Sequence, residues 1–286
     1  EIVRGAGSVL YGDGAVGGVI NIITKKGEKE PEARLYSSYG SYDTFDGRAS
    51  YSGQIIRLNF NINSNYYDSQ GYRDNGFYRK KDVGVRLGHD VGDFMTLSLT
   101  ASHHKDTYGL PGPVSKEDMD SKEKRTSTDR PDDSGETTDN RFMGGIEFDL
   151  GNWGALKVNR GYRFRDNRYV MGYTPLLPRA EQTDHIDEDT KTFDLSFIKG
   201  YEIQGHEHRF HCGLDHFEAE YIREELSKNE RKNSEVKSLG LFLIIGSTRL
   251  IWPGLIFPLS LWIRLKESKS YGVPGQCSME MGPLGG

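Results

Sequence analysis

The residue types that could do chemistry here are glycines and histidines, and their spacing decides which of them can. Gly12, Gly14 and Gly17 satisfy the pattern G-x-G-x-x-G, at which backbone amides grip a pyrophosphate on the N-terminus of a helix. That helix is not predicted, because Val19-Ile20-Asn21-Ile22-Ile23-Thr24 is a β-branched run that reads as a strand. Nucleotide binding is therefore set aside. The histidines that stand out are His103, His104, His206, His208, His211 and His216. His206 and His208 share a strand face at a spacing that can hold a metal ion, but they adjoin a short turn, where an imidazole at a water–apolar interface is the simpler reading. Cys212 and Cys277 give neither a metal-ligand spacing nor a disulfide framework. No metal or cofactor is assigned. No Ser, His and Asp stand in a nucleophile context, and no carboxylate pair separates itself from the many loop acids. No catalytic residue and no enzyme activity are predicted.

Function must then come from the elements that carry these residues. Only 35% of the 286 residues are hydrophobic, and mean hydropathy is −0.66, yet the chain has 16 Tyr, 13 Phe and 35 Gly. Such values suit a disordered chain or one whose apolar residues alternate with polar ones on strands, and the aromatics favour strands. The net charge of −5 combines plentiful acids and bases, so no basic field exists to attract nucleic acid. The chain starts at Glu1 without a signal peptide, so its N-terminus reads as cut.

From Ala33 the period is two. Ala33, Leu35, Ser37 and Tyr39 form one strand face, and Phe45, Gly47, Ala49 and Tyr51 the next. In the third strand Ile56, Leu58, Phe60, Ile62 and Tyr66 oppose Arg57, Asn59, Asn61, Asn63 and Asn65. Later apolar sets are Val83, Val85 and Leu87; Leu97, Leu99 and Ala101; Phe142, Ile146 and Phe148; Leu156, Val158, Tyr162 and Phe164; Phe193, Leu195 and Phe197; and Phe210, Cys212 and Leu214. Arg160 breaks its apolar face, which is costly at a membrane midplane and tolerable near the rim.

Connection lengths add an independent signal. Short links are predicted at Ser52-Gly53-Gln54, Val91-Gly92-Asp93, Gly151-Asn152 and Tyr201 to Gly205. They alternate with long ones at Asp68 to Tyr78, Asp106 to Asn140, Tyr169 to Asp187 and Ile222 to Ser234. Tight turns at one end, long loops at the other and apolar/polar alternation form the signature of an outer-membrane β-barrel. A water-soluble sheet with one buried face is the alternative, and the loop from Asp106 to Asn140 counts against it. That loop, with Glu117, Asp118, Asp120, Asp132 and Asp133, reads either as a solvated segment or as a ligand contact.

The opening stretch, Glu1 to Lys26, resembles the last segment of the plug domain of TonB-dependent outer-membrane receptors. The resemblance rests on Arg4, Gly5, Tyr11, Gly12, Gly17, Gly18 and Asn21 within Glu1-Ile2-Val3-Arg4-Gly5, Tyr11-Gly12 and Gly17-Gly18-Val19-Ile20-Asn21-Ile22-Ile23-Thr24-Lys25. Tyr39-Gly40-Ser41-Tyr42-Asp43-Thr44, Asp68-Ser69-Gln70-Gly71-Tyr72-Arg73 and Tyr108-Gly109-Leu110-Pro111-Gly112 are similar to the family's first barrel strands and loops. The fold expected is all-β: a partial antiparallel transmembrane β-barrel, an incomplete and curved open sheet, preceded by the C-terminal piece of a plug domain. Residues 1–27 would end the plug and 28–240 would give roughly the first ten strands of a barrel of about 22. From Leu241 alternation fails, and residues 241–286 are expected to be an aberrant tail, as after a frameshift. The resemblance implies uptake of a ferric siderophore or cobalamin-like corrinoid, with a TonB-type energy-transducing protein and outer-membrane lipid as partners. The loop residues it puts near ligand are Tyr72, Arg73, Tyr108, Leu110 and Pro111. A passive porin-like or adhesin-like barrel without energy coupling is the alternative.

Overall fold

Alternation of period two becomes one antiparallel sheet. The computed structural model describes the backbone of residues 2–4, 18–20, 27, 29–172, 182–203, 206–225, 230–247, 259–270 and 277–281, and side chains within 29–172, 183–202, 208–225 and 230–243. Two short strands, β1 (Ile2–Arg4) and β2 (Gly18–Ile20), pair with each other, Arg4 opposite Gly18. Twelve more follow: β3 (Glu32–Gly40), β4 (Thr44–Ile55), β5 (Leu58–Ser69), β6 (Tyr78–Val91), β7 (Met95–Gly109), β8 (Ser134–Asp149), β9 (Ala155–Met171), β10 (Gln182–Ile203), β11 (His206–Glu225), β12 (Glu230–Ser247), β13 (Leu259–Ser270) and β14 (Cys277–Met281). Each pairs with its sequence neighbours, which makes an open up-and-down sheet with β3 and β14 at its edges.

Burial is inverted relative to a water-soluble protein. Among the described residues Phe60, 8% exposed, is the one buried apolar side chain, while Leu58, Ile62, Leu99, Phe142, Ile146, Tyr162 and Leu241 are exposed. Cross-strand pairing joins these exposed residues into one band. Ile62 is opposite Val85, Val85 opposite Ala101, Ala101 opposite Phe142, and Phe142 opposite Tyr162. On the other face, Asn61, Arg86, Thr100 and Met143 form a connected rung. A soluble sheet would bury the first face; here it is the face offered to lipid.

Arg160 lies inside this band. It is opposite Gly144 and Phe193 and sits between Val158 and Tyr162 on its own strand, so the rim position that would make it cheap is not the one it has.

The turns refine the expected boundaries. The β4–β5 turn falls at Ile56–Arg57 rather than at Ser52–Gln54, because Ser52, Gly53 and Gln54 pair with Asn61, Phe60 and Asn59. Ile56 therefore leaves the strand face assigned to it and takes φ +57°, a conformation in which a β-branched side chain is strained. The strands also run into the expected loops, which shrink to residues 70–77 and 110–133, and β9 extends to Met171, β10 starts at Gln182, β11 extends to Glu225 and β12 starts at Glu230. Tyr201 likewise belongs to β10. Beyond Leu241 the described backbone continues to pair, with Leu239, Leu241 and Leu243 opposite Leu265, Ile263 and Leu261.

Length sets how far the wall rises. About ten tilted residues cross the apolar layer, but β10 has 22 and β11 has 20. The turns at one end follow the apolar band directly, so the surplus projects from the long-loop end.

Two expected outcomes follow from this geometry. Arg160→Leu stabilises the folded state in phospholipid vesicles by about 2–4 kcal/mol, the cost of a cation at the midplane, read from reversible denaturant unfolding. Ile56→Gly stabilises it by about 1 kcal/mol through relief of the left-handed conformation, read in the same assay.

Candidate functional site

The polar face and the loops above it form the candidate site. Its lower part is a hollow of about 580 Å³ whose lining includes Asn61, Arg86, Thr100, Arg141, Arg163 and Thr190. Alternation places these side chains there, since each is directly opposite the next or its diagonal neighbour on the same face.

Toward the loops the wall becomes charged, and its charges are paired across strands. Asp82, His104, Asp139, Arg165 and Glu188 form one rung over five strands. Arg163 bridges Asp139 at 2.6 Å and Glu188 at 3.3 Å, while Arg141 reaches the same Asp139 at 3.4 Å. His104 contacts Asp82 through Nδ1 and lies 3.4 Å from Asp106 through Nε2. Higher still, Asp184 is fully buried and is held by Arg223 at 2.7 Å and by the Tyr169 hydroxyl. Cross-strand opposite charges stabilise a ladder that has no apolar face to bury.

Two loops close over the wall, and one arginine joins them. The Arg73 guanidinium, in the 70–77 loop, donates to the carbonyls of Pro111 (3.0 Å), Gly112 and Ser127 (2.9 Å). Asn75 Nδ2 donates to the carbonyls of Arg130 and Asp133, each at 2.7 Å. The 110–133 loop contains a 3-10 turn at Glu117–Asp120 and a helix, α1 (Lys122–Thr126), whose N-cap Ser121 accepts from the Lys124 amide. The Ser115 hydroxyl, followed by the Lys124 ammonium, holds the Asp118 carboxyl below the usual carboxylate range. Asp133 is buried and accepts from the Gly172 amide at 2.7 Å, tying this loop to the end of β9.

The five loop residues expected near ligand thus come together, in different roles. Tyr72 accepts a hydrogen bond from Arg125 at 2.9 Å and meets the Tyr42 ring edge-on at 5.8 Å. Tyr108 lies over Gly135, where a Cβ would fall 2.4 Å from its ring. The Leu110 amide donates to the Asp133 carbonyl at 2.9 Å. Arg73 and Pro111 form the clamp itself, so the Arg73 charge is engaged by protein carbonyls. Of the opening motif, Gly18 and the Arg4 backbone lie in the β1–β2 pair. The Arg4 side chain, and Gly5, Tyr11, Gly12, Gly17 and Asn21, lie outside the described residues, as does the His206 side chain. His208 stacks on Tyr201 at 5.4 Å, beside the turn as expected of a rim histidine.

Sequence reading passed over His185, which contacts Asp166 and Asp187. The His-x-Asp spacing of 185 and 187, which puts both on one strand face, was the available signal.

No family model matches the chain. It is similar to the metal-pseudopaline receptor CntO of Pseudomonas aeruginosa, 38% identical over 77 residues, which make up 26% of this chain and 11% of that receptor. It is also similar to a probable TonB-dependent siderophore receptor, PirA, of Acinetobacter baumannii, 35% identical over 96 residues, 32% of this chain and 12% of that one. A third relative is the vitamin B12 transporter BtuB of Photobacterium profundum, 29% identical over 126 residues, 39% of this chain and 21% of that one. In three dimensions, 99% of the chain overlays 43% of the ferripyoverdine receptor of the outer membrane of Pseudomonas aeruginosa, with TM-score 0.75 and 15% identity. These relatives and neighbours are TonB-dependent outer-membrane receptors, and the chain shares the fold of part of their barrel wall. Those relatives are receptors and transporters of the Gram-negative outer membrane, not enzymes. The matched segments span 11 to 21% of these three relatives' own length. A membrane β-barrel wall of that fold accounts for the inverted burial, and Arg73 joins two loops at its long-loop end.

Replacing Arg73 by Ala is expected to release the 110–133 loop and raise its protease nicking rate roughly tenfold or more, since three charge-assisted hydrogen bonds are lost. Arg73→Lys should fail to restore protection, because a single ammonium cannot serve three separated carbonyls as the guanidinium fork does. Limited proteolysis in detergent, with mapping of the cut sites, checks both.

Proposed function

We propose that this chain forms part of a receptor importing a ferric siderophore or a cobalamin-like corrinoid across the outer membrane, with energy supplied by a TonB-type protein. The observation that carries this reading is the polar wall roofed by two clamped loops, on a sheet whose apolar face is turned outward. Such a surface offers many hydrogen-bonding and charged groups to a large, polar chelate. In this reading residues 1–27 end the plug and residues 28–240 supply wall. The relatives named above, a metal–metallophore receptor, a siderophore receptor and a vitamin B12 transporter, leave both ligand classes open.

A passive porin-like or adhesin-like barrel is the competing reading. It has no use for the plug-like stretch Glu1 to Lys26, which favours energy coupling. The two separate in a strain deleted for the gene and complemented with it, assayed for uptake of labelled ferric catecholate, ferric hydroxamate and cobalamin with and without a protonophore. Deletion is expected to abolish uptake of one ligand class, and the protonophore to abolish it in the complemented strain. Uptake that persists after the proton gradient is collapsed would establish a passive channel instead.

A further inference from the structure

We propose that Asp166, His185 and Asp187 form a site for a divalent transition-metal ion on the outward face of the sheet, separate from the polar wall. Asp166 on β9 and Asp187 on β10 are direct cross-strand partners, and His185 is two residues from Asp187 on the same face. Their donor atoms lie within 4.8 Å of one another. His185 Nε2 is 2.7 Å from Asp166 Oδ2 and 3.3 Å from Asp187 Oδ1.

Hydrogen bonding alone leaves this arrangement incomplete. A neutral imidazole carries one N–H, and Nε2 cannot donate fully to both carboxylates. Among the described residues Asp187 meets no Lys or Arg, and Asp166 meets only Arg168, at 3.2 Å. A metal ion in place of the Nε2 proton would satisfy both carboxylates and the imidazole together. One nitrogen and two carboxylate oxygens are the donor set of zinc and its neighbours in the first transition row, more than of calcium or magnesium. The other imidazole nitrogen, Nδ1, faces Glu224 Oε2 at 4.0 Å, and His185 and Glu224 are direct cross-strand partners. That separation is too long for a hydrogen bond, but a carboxylate there would set the tautomer of the ligating histidine on moving about 1 Å closer.

Position separates this site from the transport path. Asp166 is two residues beyond Phe164 on the face that carries the apolar band, so it stands about 7 Å above the last aromatic, at headgroup level. The ion would tie β9 to β10 where the strands leave the membrane, adding a side-chain link to the backbone ladder. Three protein donors leave a tetrahedral ion one position for water.

The test uses the whole chain in detergent micelles, stripped with chelator and titrated with Zn²⁺ by calorimetry, with Co²⁺ as a spectroscopic substitute. A binding event with a Co²⁺ d–d spectrum of mixed nitrogen and oxygen ligation is expected. His185→Ala and Asp187→Asn should each weaken it by roughly tenfold or more. Arg168→Gln should strengthen it several-fold by removing a cation that competes for Asp166, an effect that a purely structural histidine would not show. Circular dichroism confirms that each variant retains its strands. Should one fail to fold, the Arg168→Gln titration decides alone. No Zn²⁺ bound at millimolar concentration, or affinity indifferent to all three substitutions, would overturn the proposal.

Discussion

The backbone hydrogen-bond ladder is the constraint on which the rest depends. In hydrocarbon an unpaired N–H or C=O costs several kcal/mol, so a spanning segment of strand must pair on both sides. The continuous meander meets this along β4 through β11. Among the described residues, the edges β3 and β14 and the part of β13 outside Ile263–Glu267 still need partners. Once the ladder is fixed, side chains can go only to lipid or to the inner face, and alternation sorts them. That is why, among the described residues, one buried apolar side chain is enough: the apolar groups are stabilised by lipid, and cohesion resides in the backbone.

Above the apolar layer the same ladder meets water on both faces and needs other support. The cross-strand charges supply it, from Asp82 and His104 through Asp139 and Arg163 to Glu188. Exposed pairs of this kind are worth little singly, but a chain of partners sharing Asp139 and Arg163 loses less side-chain freedom per contact. The Arg73 clamp adds to this by converting two loops into one roof. A roof anchored to backbone carbonyls keeps its shape while the side chains it displays can vary, a division of labour suited to a ligand-facing surface.

The sequence was most legible where one strand face meets lipid, because there alternation is forced. The nine strand faces read from Ala33 to Leu214 correspond to β3 through β11. Legibility ended where that contrast ended. Residues such as Asp184, His185 and Asp187 read as loop because polar residues occupy both faces of the upper part of β10. In the tail, Leu259, Leu261, Ile263 and Leu265 do alternate with Ser260, Trp262 and Arg264, but the apolar run before them hid the period. Ile56 was misplaced because its type favours strand while the register demands a turn. The role of Arg73 was invisible for another reason: its partners are carbonyls, and a carbonyl has no signature in a sequence. His185 was overlooked among more clustered histidines, since cross-strand proximity to Asp166 depends on register.

Parity and height together decide what a charged residue becomes in this sheet. Arg160 and Arg163 lie three positions apart on β9 and therefore on opposite faces. Arg163 finds Asp139 and Glu188 on the polar side, whereas Arg160 faces the apolar band and, among the described residues, makes no ion pair. Asp166 shares Arg160's face but stands six residues higher, past Phe164, where water and headgroups replace acyl chains. A charge that is a burden at one level is solvated at the next, and there carboxylates and an imidazole can gather without a membrane penalty. The chemistry open to each side chain thus follows from two coordinates, odd or even and high or low, both set by the ladder before any side chain is chosen.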